Sequence, residues 1–192
     1  MRTKELYQKL DYVDHSRSKR QRVASLVLEE PELMTPLLEI VFMVDDKISS
    51  KAAWVMEFAC KENLDLILKH LEQFTQNVNK VHLDPAVRPV AKVCELLAMT
   101  YYSKKETKTK FALLPKYQER IVEVCFDWMI NDEKIAPKAY AMNSLFLFGK
   151  DYDWIHPELK IILERDYQMQ SSGFKARARH ILKAIGESGL EK

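Results

Sequence analysis

With 192 residues, 47% of them hydrophobic and 30% charged, the chain has the composition of a folded protein and not of a disordered one. Its net charge of +2 excludes a strong overall attraction to nucleic acid or membranes, and its 4 glycines and 7 prolines argue against a turn-rich β fold. Because no apolar segment near the N-terminus resembles a secretory signal and no apolar run could span a membrane, we expect one cytoplasmic domain over residues 1–192.

Apolar residues recur at steps of three and four positions along almost the whole chain, which is the spacing of helices with one buried face. This spacing predicts ten helices, at residues 3–13, 17–30, 31–43, 48–62, 64–78, 85–103, 115–130, 133–149, 157–169 and 173–186. The stretch from Tyr102 to Leu114 contains a polar, lysine-rich run at 103–110 and is the predicted mobile surface loop. The other connections are short, so we expect consecutive helices to form five antiparallel pairs.

Prolines and aspartates punctuate this pattern. Four prolines lie near predicted helix starts, where a missing N–H costs nothing: Pro31, Pro85, Pro115 and Pro157. Asp84 and Asp132 are predicted N-caps, because a carboxylate there can accept an unpaired backbone N–H. Pro89 and Pro137 each fall at the fifth position of a predicted helix, and we expect both to kink or loosen its first turn.

A short sequence phrase returns at a fixed offset. Residues 45–52 read DDKISSKA, and residues 132–139, 87 positions later, read DEKIAPKA. The same offset carries residues 87–91 onto residues 174–178. A recurrence of this length is typical of stacked helical units, each of which needs its neighbours to bury its apolar face.

Within these copies, a basic residue is followed three positions later by alanine: Arg88 and Ala91, Lys138 and Ala141, Lys175 and Ala178. Residues 84–97 read DPAVRPVAKVCELL, and this stretch resembles the second helix of the HEAT repeat family. The resemblance extends over about residues 31–186. It implies an all-α fold, a right-handed superhelix of about five antiparallel helix pairs.

The resemblance also places the second helices on the concave face, where four repeated basic residues would form a row: Lys51, Arg88, Lys138 and Lys175. Such a row would bind phosphates or an acidic peptide. Alternatively, each of these basic residues forms an ion pair with an aspartate of a neighbouring repeat. Four aspartates are available for this: Asp45, Asp46, Asp84 and Asp132. The sequence leaves both interpretations open.

Trp54 stands where the other copies have alanine, so its indole either fills a gap in the core or lies in the concave groove as a binding surface. Trp128 and Trp154 are expected to be structural. Two further segments, 15–22 and 174–183, carry several basic residues and no acid. Each is either a solvated or acid-paired face, or a contact for an acidic partner.

No catalytic or cofactor motif occurs, and the five histidines lack the spacing of a helical metal site, so we expect no cofactor and no metal. The three cysteines, Cys60, Cys94 and Cys125, lie within predicted helices and are expected to be buried free thiols. An enzyme with unrecognised chemistry remains open through two carboxylate pairs, Asp45-Asp46 and Asp132-Glu133, which the helix dipole also explains.

These patterns favour a non-enzymatic binding or scaffold module, with a protein or acidic peptide as partner and no membrane contact. The alternative is a nucleic-acid-binding protein similar to the HEAT-like DNA glycosylases that excise alkylated bases. That resemblance would assign Lys51, Trp54, Arg88, Lys138 and Lys175 to binding, with Asp46 or Asp132 as the carboxylate that stabilises positive charge on the sugar.

Overall fold

The computed structural model describes residues 3–188, and within that range it contains twelve α-helices and no strand. The helices are α1 (Thr3–Asp11), α2 (Arg17–Glu29), α3 (Met34–Val41), α4 (Ile48–Glu62), α5 (Asp65–Leu68), α6 (Leu71–Asn77), α7 (Asp84–Tyr101), α8 (Lys108–Ala112), α9 (Pro115–Ile130), α10 (Ile135–Phe148), α11 (Ile155–Asp166) and α12 (Ser172–Ser188). Short 3₁₀ turns at Pro31–Leu33, Val78–Lys80 and Tyr167–Met169 adjoin α3, α6 and α11.

The helices form two layers. An inner layer of second helices comprises α2, α4, α7, α10 and α12, and each of these packs on the next. An outer layer comprises α1, α3, the α5–α6 segment, α9 and α11, and its neighbours contact one another less extensively. Because the inner helices pack more closely, the array curves towards them. The prediction of an all-α superhelix of five helix pairs is confirmed.

The single helix predicted at 64–78 is wrong, since α5 ends at Leu68 and α6 begins at Leu71. His70 between them leaves the helical region, with φ −114° and ψ 10°. Ile67 before the break and Phe74 after it are both fully buried. The break therefore turns the apolar residues of both halves towards the same core. The free energy gained by burying them outweighs the preference of the local sequence for one continuous helix.

The loop predicted at 102–114 is also partly wrong, because it contains the short helix α8. This helix packs on α5 and α7. Its Thr109 side chain is buried, and the Nζ atom of Lys108 contacts Asp65 of α5 at 2.7 Å. Tertiary contacts, and not an apolar stripe of its own, hold this segment in place.

The prolines lie in first helical turns more often than the two aspartates lie at the N-cap positions predicted for them. Pro115 is the first residue of α9, as predicted. Asp84 is not an N-cap but the first residue of α7, which follows Leu83. Asp132 is not an N-cap either, because α10 begins three residues later. That late start puts Pro137 at the third helical position, where its missing N–H has no helical partner, whereas Pro89 lies inside α7.

One continuous hydrophobic core extends from Leu6 to Ile181. The three cysteines are buried free thiols, as predicted. Burial raises the pKa of Cys60 and of Cys125 to about 12, so neither thiol ionises near neutral pH. Over residues 3–188 no helix combines the length and the hydrophobicity that crossing a membrane requires.

Candidate interaction surface on the inner helices

Trp54 lies in α4 and is 8% exposed. Its indole N–H donates a hydrogen bond to the backbone oxygen of Pro85, 2.8 Å away in α7. In a regular helix that oxygen would accept the N–H of residue 89, but Pro89 has no N–H to donate. The indole thus fills the space that the alanine of the other copies leaves and supplies the missing donor.

The outer surface of the Trp54 ring is covered by Arg20 of α2. The Arg20 guanidinium lies 4.6 Å from the centre of the Trp54 ring and 6.0 Å from that of Phe58. It also donates hydrogen bonds to the backbone oxygens of Asp14, at 3.2 Å, and His15, at 2.7 Å. Cation–π contacts and two carbonyls therefore hold this cation in one place.

Arg88 of α7 contacts Glu57 of α4 through both guanidinium nitrogens, at 2.6 and 3.2 Å. Glu57 is fully buried, and Lys61 one turn later donates to it at 2.5 Å. Burial lowers the pKa of Arg88, but its hydrogen bonds and charge interaction with Glu57 outweigh that effect and raise the pKa overall. Two cations thus share one buried carboxylate.

Arg20 is a third cation beside this carboxylate. Its pKa is lowered, first by burial and next by the positive charge of Arg88. Among the described residues no carboxylate forms an ion pair with Arg20 within 4.0 Å. Arg20, Lys61 and Arg88 face one buried acid, Glu57. Together with Trp54 and Phe58 these residues form a surface with excess positive charge, called the Arg20–Arg88 cluster below.

A second buried carboxylate, Glu95 of α7, continues the polar contacts along the inner layer. Lys92 donates to it at 2.5 Å, and Asn143 of α10 donates to it at 2.9 Å. The Lys92 ammonium also lies 4.8 Å from the centre of the Tyr140 ring. Each of these buried glutamates therefore accepts a hydrogen bond from a residue of the next inner helix.

The four repeated basic residues occupy equivalent positions, at the fourth or fifth residue of α4, α7, α10 and α12. Lys51 donates to the backbone oxygen of Asp11 at 2.7 Å and contacts its carboxylate at 3.3 Å. Lys138 is only 6% exposed, and its charge acts on Glu133 and Asp166. Lys175 is half-buried. Lys51 and Arg88 therefore pair with acids other than the predicted aspartates.

Asp45 and Asp46, two of the aspartates proposed as partners or catalytic acids, have other contacts. Asp46 accepts hydrogen bonds from the Tyr7 hydroxyl at 2.7 Å and from the Ile48 N–H at 3.0 Å. Asp45 lies 3.4 Å from His82. Burial, followed by the charge of Asp84, raises the pKa of Glu133. In the part of the chain that the structure describes, no group of three or more His, Cys, Asp or Glu side chains could hold a metal ion.

The sequence interpretation missed Glu57 and Glu95. A signal for both exists, because each is a lone acid within an apolar run, AAWVMEFAC at 52–60 and VCELLA at 93–98. A lone acid in such a run indicates a buried carboxylate that needs a cation from a neighbouring helix. Of the basic segment 15–22, Arg20 is the residue that the fold brings to this surface.

These features define a helical repeat protein with a continuous inner surface. The sequence model of the HEAT repeat domain matches residues 6–185, so the chain belongs to the HEAT repeat family. The comparison with curated proteins gave no match, and the comparison with solved structures gave none either. Repeat arrays of this kind are helical scaffolds that present an extended concave binding surface.

Proposed function

We propose that this protein is a non-enzymatic interaction module whose inner face binds an acidic segment of a partner protein. The single observation that supports this most is the Arg20 guanidinium. It is fixed over Trp54 and Phe58, and it lies near Arg88 without an ion-paired carboxylate of its own.

The energetics of the Arg20–Arg88 cluster favour a carboxylate ligand. Three cations lie near one buried acid, Glu57. Burial and next the repulsion from Arg88 lower the pKa of Arg20, and the charges of Glu57 and Asp14 offset this only in part. A carboxylate placed between the two guanidinium groups would remove that repulsion and form charge-assisted hydrogen bonds with both. Since Arg20 is already held by two carbonyls and two rings, little side-chain entropy would be lost on binding.

Access to the cluster is open from the inner side. The Arg88 side chain is 32% exposed even though Glu57 beneath it is buried. The proposal extends along the edge of the inner layer to the other repeated bases, Lys51, Lys138 and Lys175, as further contacts for the same segment. The buried free thiols fit the reducing conditions of the cytoplasm, where we expect the module to act.

A fluorescence anisotropy titration of the full chain with a short labelled peptide of alternating glutamate and serine tests the proposal. We expect Arg20→Gln to weaken binding about tenfold or more, the value of one charge-assisted hydrogen bond. Arg17→Gln removes the same charge from an exposed position of the same helix and should change binding less than about twofold. Arg20→Lys keeps the charge without the planar fork and should be intermediate.

Equal losses in the Arg20 and Arg17 variants, or no binding of the acidic peptide at about 50 mM salt, would contradict the proposal. The nucleic-acid alternative is tested with a labelled single strand and a labelled duplex under the same conditions. If either binds more tightly than the peptide, with steep salt dependence and loss in the Arg20→Gln variant, the inner face is a nucleic-acid surface.

A further inference from the structure

A groove of about 810 Å³ lies on the opposite side of the molecule, between the outer helices α9 and α11. It is lined by Glu119, Val122, Glu123, Phe126, Asp127, Ile130, Tyr152, Trp154, Glu158 and Ile162. None of these ten residues is basic, and the inner-face surface described above uses none of them.

Two parallel stripes of α9 form one wall of this groove. Three apolar residues recur four positions apart: Val122, Phe126 and Ile130. Three acidic residues recur at the same spacing and form a second stripe on α9 beside the apolar one: Glu119, Glu123 and Asp127. Side chains four positions apart are neighbours on a helix surface, so each stripe extends for about 12 Å along α9, with a slight winding around it.

The apolar part of the groove is open to solvent. Ile130 and Trp154 are each 54% exposed, which for Trp154 differs from the structural role expected from the sequence. The Trp154 ring stacks on Phe126, with ring centres 5.4 Å apart and planes 23° apart. A fixed aromatic pair at the mouth of a groove is the kind of surface that holds an apolar side chain of a partner.

The acidic side chains of the groove are not engaged in ion pairs with other described residues. Among the described residues, Glu119, Glu123, Asp127 and Glu158 form no ion pair within 4.0 Å. Like charges four positions apart on a helix repel each other, so this stripe opposes the stability of α9. A partner carrying positive charge would remove that cost.

We propose that this groove binds a basic amphipathic helix of a partner protein. Leucine or aromatic residues of such a helix would fill the apolar floor against Phe126 and Trp154, and its lysines or arginines would lie along the α9 acids. A helix suits the groove because it presents an apolar stripe and a charged stripe side by side, with the periodicity that α9 itself shows. The module would then hold partners of opposite charge on its two layers, and this second site does not depend on the first.

The probe is a labelled synthetic amphipathic helix built of leucine and lysine, titrated against the full chain by fluorescence anisotropy. We expect the triple variant E119Q/E123Q/D127N to bind it about tenfold or more weakly, with reduced salt dependence. The amides keep the shape of the groove, so the variant should fold with an unchanged or higher melting temperature. Trp154→Ala should also weaken binding about tenfold.

A matched control is the variant E29Q/E30Q/E32Q, which removes three exposed charges from the junction of α2 and α3. It should change binding less than about twofold. An equal loss in this control, equal binding of a leucine–glutamate peptide, or no binding of the lysine peptide would overturn the proposal. So would sedimentation showing a dimer that the groove variant disrupts, since the occupant would then be a second copy of the chain.

Discussion

Trp54 donates its indole N–H to the backbone oxygen of Pro85 across the contact between α4 and α7. This bond is needed because Pro89 cannot donate the helical hydrogen bond to the same oxygen. A buried proline inside one helix is thus matched by an aromatic side chain of the neighbouring helix, and that side chain, Trp54, belongs to the Arg20–Arg88 cluster.

Trp54→Phe should destabilise the protein, because it keeps most of the ring but leaves the Pro85 oxygen without a donor. We expect a loss of about 1–3 kcal/mol in the free energy of unfolding, measured by urea denaturation. In the Pro89→Ala background residue 89 can donate to Pro85, so the same Trp54→Phe change should cost less. Equal costs in both backgrounds would show that the hydrogen bond contributes nothing.

Glu57→Gln should also destabilise, because it removes the buried charge that pairs with Arg88 and Lys61. Breaking a fully buried pair costs about 3–5 kcal/mol, and since Arg88 is partly solvated we expect about 2 kcal/mol. Glu62→Gln alters an exposed acid at the end of the same helix and should be neutral within about 0.5 kcal/mol. Chemical denaturation measures both variants, and similar values for the two would refute a structural role for Glu57.

Stability should depend on pH through Glu72 of α6. Hydrogen bonds from Lys116 and then from Arg120, both in α9, hold the pKa of Glu72 at about 2, below its usual 4.5. A lowered folded-state pKa adds stability above pH 4.5, and that stability is lost as the pH falls towards 2. The gap in urea midpoint between the wild type and Glu72→Gln should therefore be largest near neutral pH and close at acidic pH.

High salt should narrow the difference in urea midpoint between the wild type and Glu72→Gln, since the Glu72 side chain is 42% exposed. Glu29→Gln, at an exposed acid that forms no ion pair with any described residue, serves as the control and should show little gap at any pH. A Glu72 gap that stays constant from neutral to acidic pH would contradict the assigned ion pairs.

Gly149→Ala should destabilise for reasons of space and not of backbone conformation. Gly149 has an ordinary φ of −62°, but a Cβ there would lie 2.0 Å from Cδ2 of His156. That ring cannot easily move, because its Nε2 is hydrogen-bonded to the Phe146 oxygen at 2.8 Å and it stacks on the Phe146 ring. We expect a cost of about 1–3 kcal/mol.

Gly186→Ala provides the comparison, because a Cβ there would meet no atom within 4 Å. That substitution in α12 should be neutral or stabilise by up to about 1 kcal/mol. Thermal melts followed by circular dichroism would measure both glycine variants. Removing the ring in a Gly149→Ala, His156→Ala double variant should cost less than the sum of the single changes, and simple additivity would argue against the clash.

The pairing of the long helices and the register of the repeated basic residues could be predicted from the sequence, because they depend on local spacing. The number of helices could not, since ten were predicted and the described residues form twelve: α5 and α6 are separated by a break, and α8 lies within the predicted loop. Lys51 and Arg88 do lie at equivalent places in α4 and α7. Their partners could not be predicted, since these depend on how far one helix is shifted along the next. Arg88 reaches Glu57 in the middle of α4 instead of an aspartate at a helix start.

The hydrogen bond of Trp54 could not be predicted from the sequence either, because its acceptor, the backbone oxygen of Pro85, belongs to a residue 31 positions away. Trp154 illustrates the same limit on the outer layer. Its exposure follows from the distance between α9 and α11, which no spacing within either helix reveals. Local periodicity fixes which face of a helix is buried, while contacts between helices decide which side chains remain available for binding.

Glu57 and Glu95 each depend on a hydrogen-bond donor from the next inner helix, and this limits which helices of the array can be exchanged. Arg88 of α7 neutralises a charge of α4, and Asn143 of α10 binds one of α7. Replacing α7 alone by a helix from another repeat protein would bury Glu57 without Arg88. The repeats of this chain are therefore not interchangeable modules, and α4, α7 and α10 would have to be transplanted as one block.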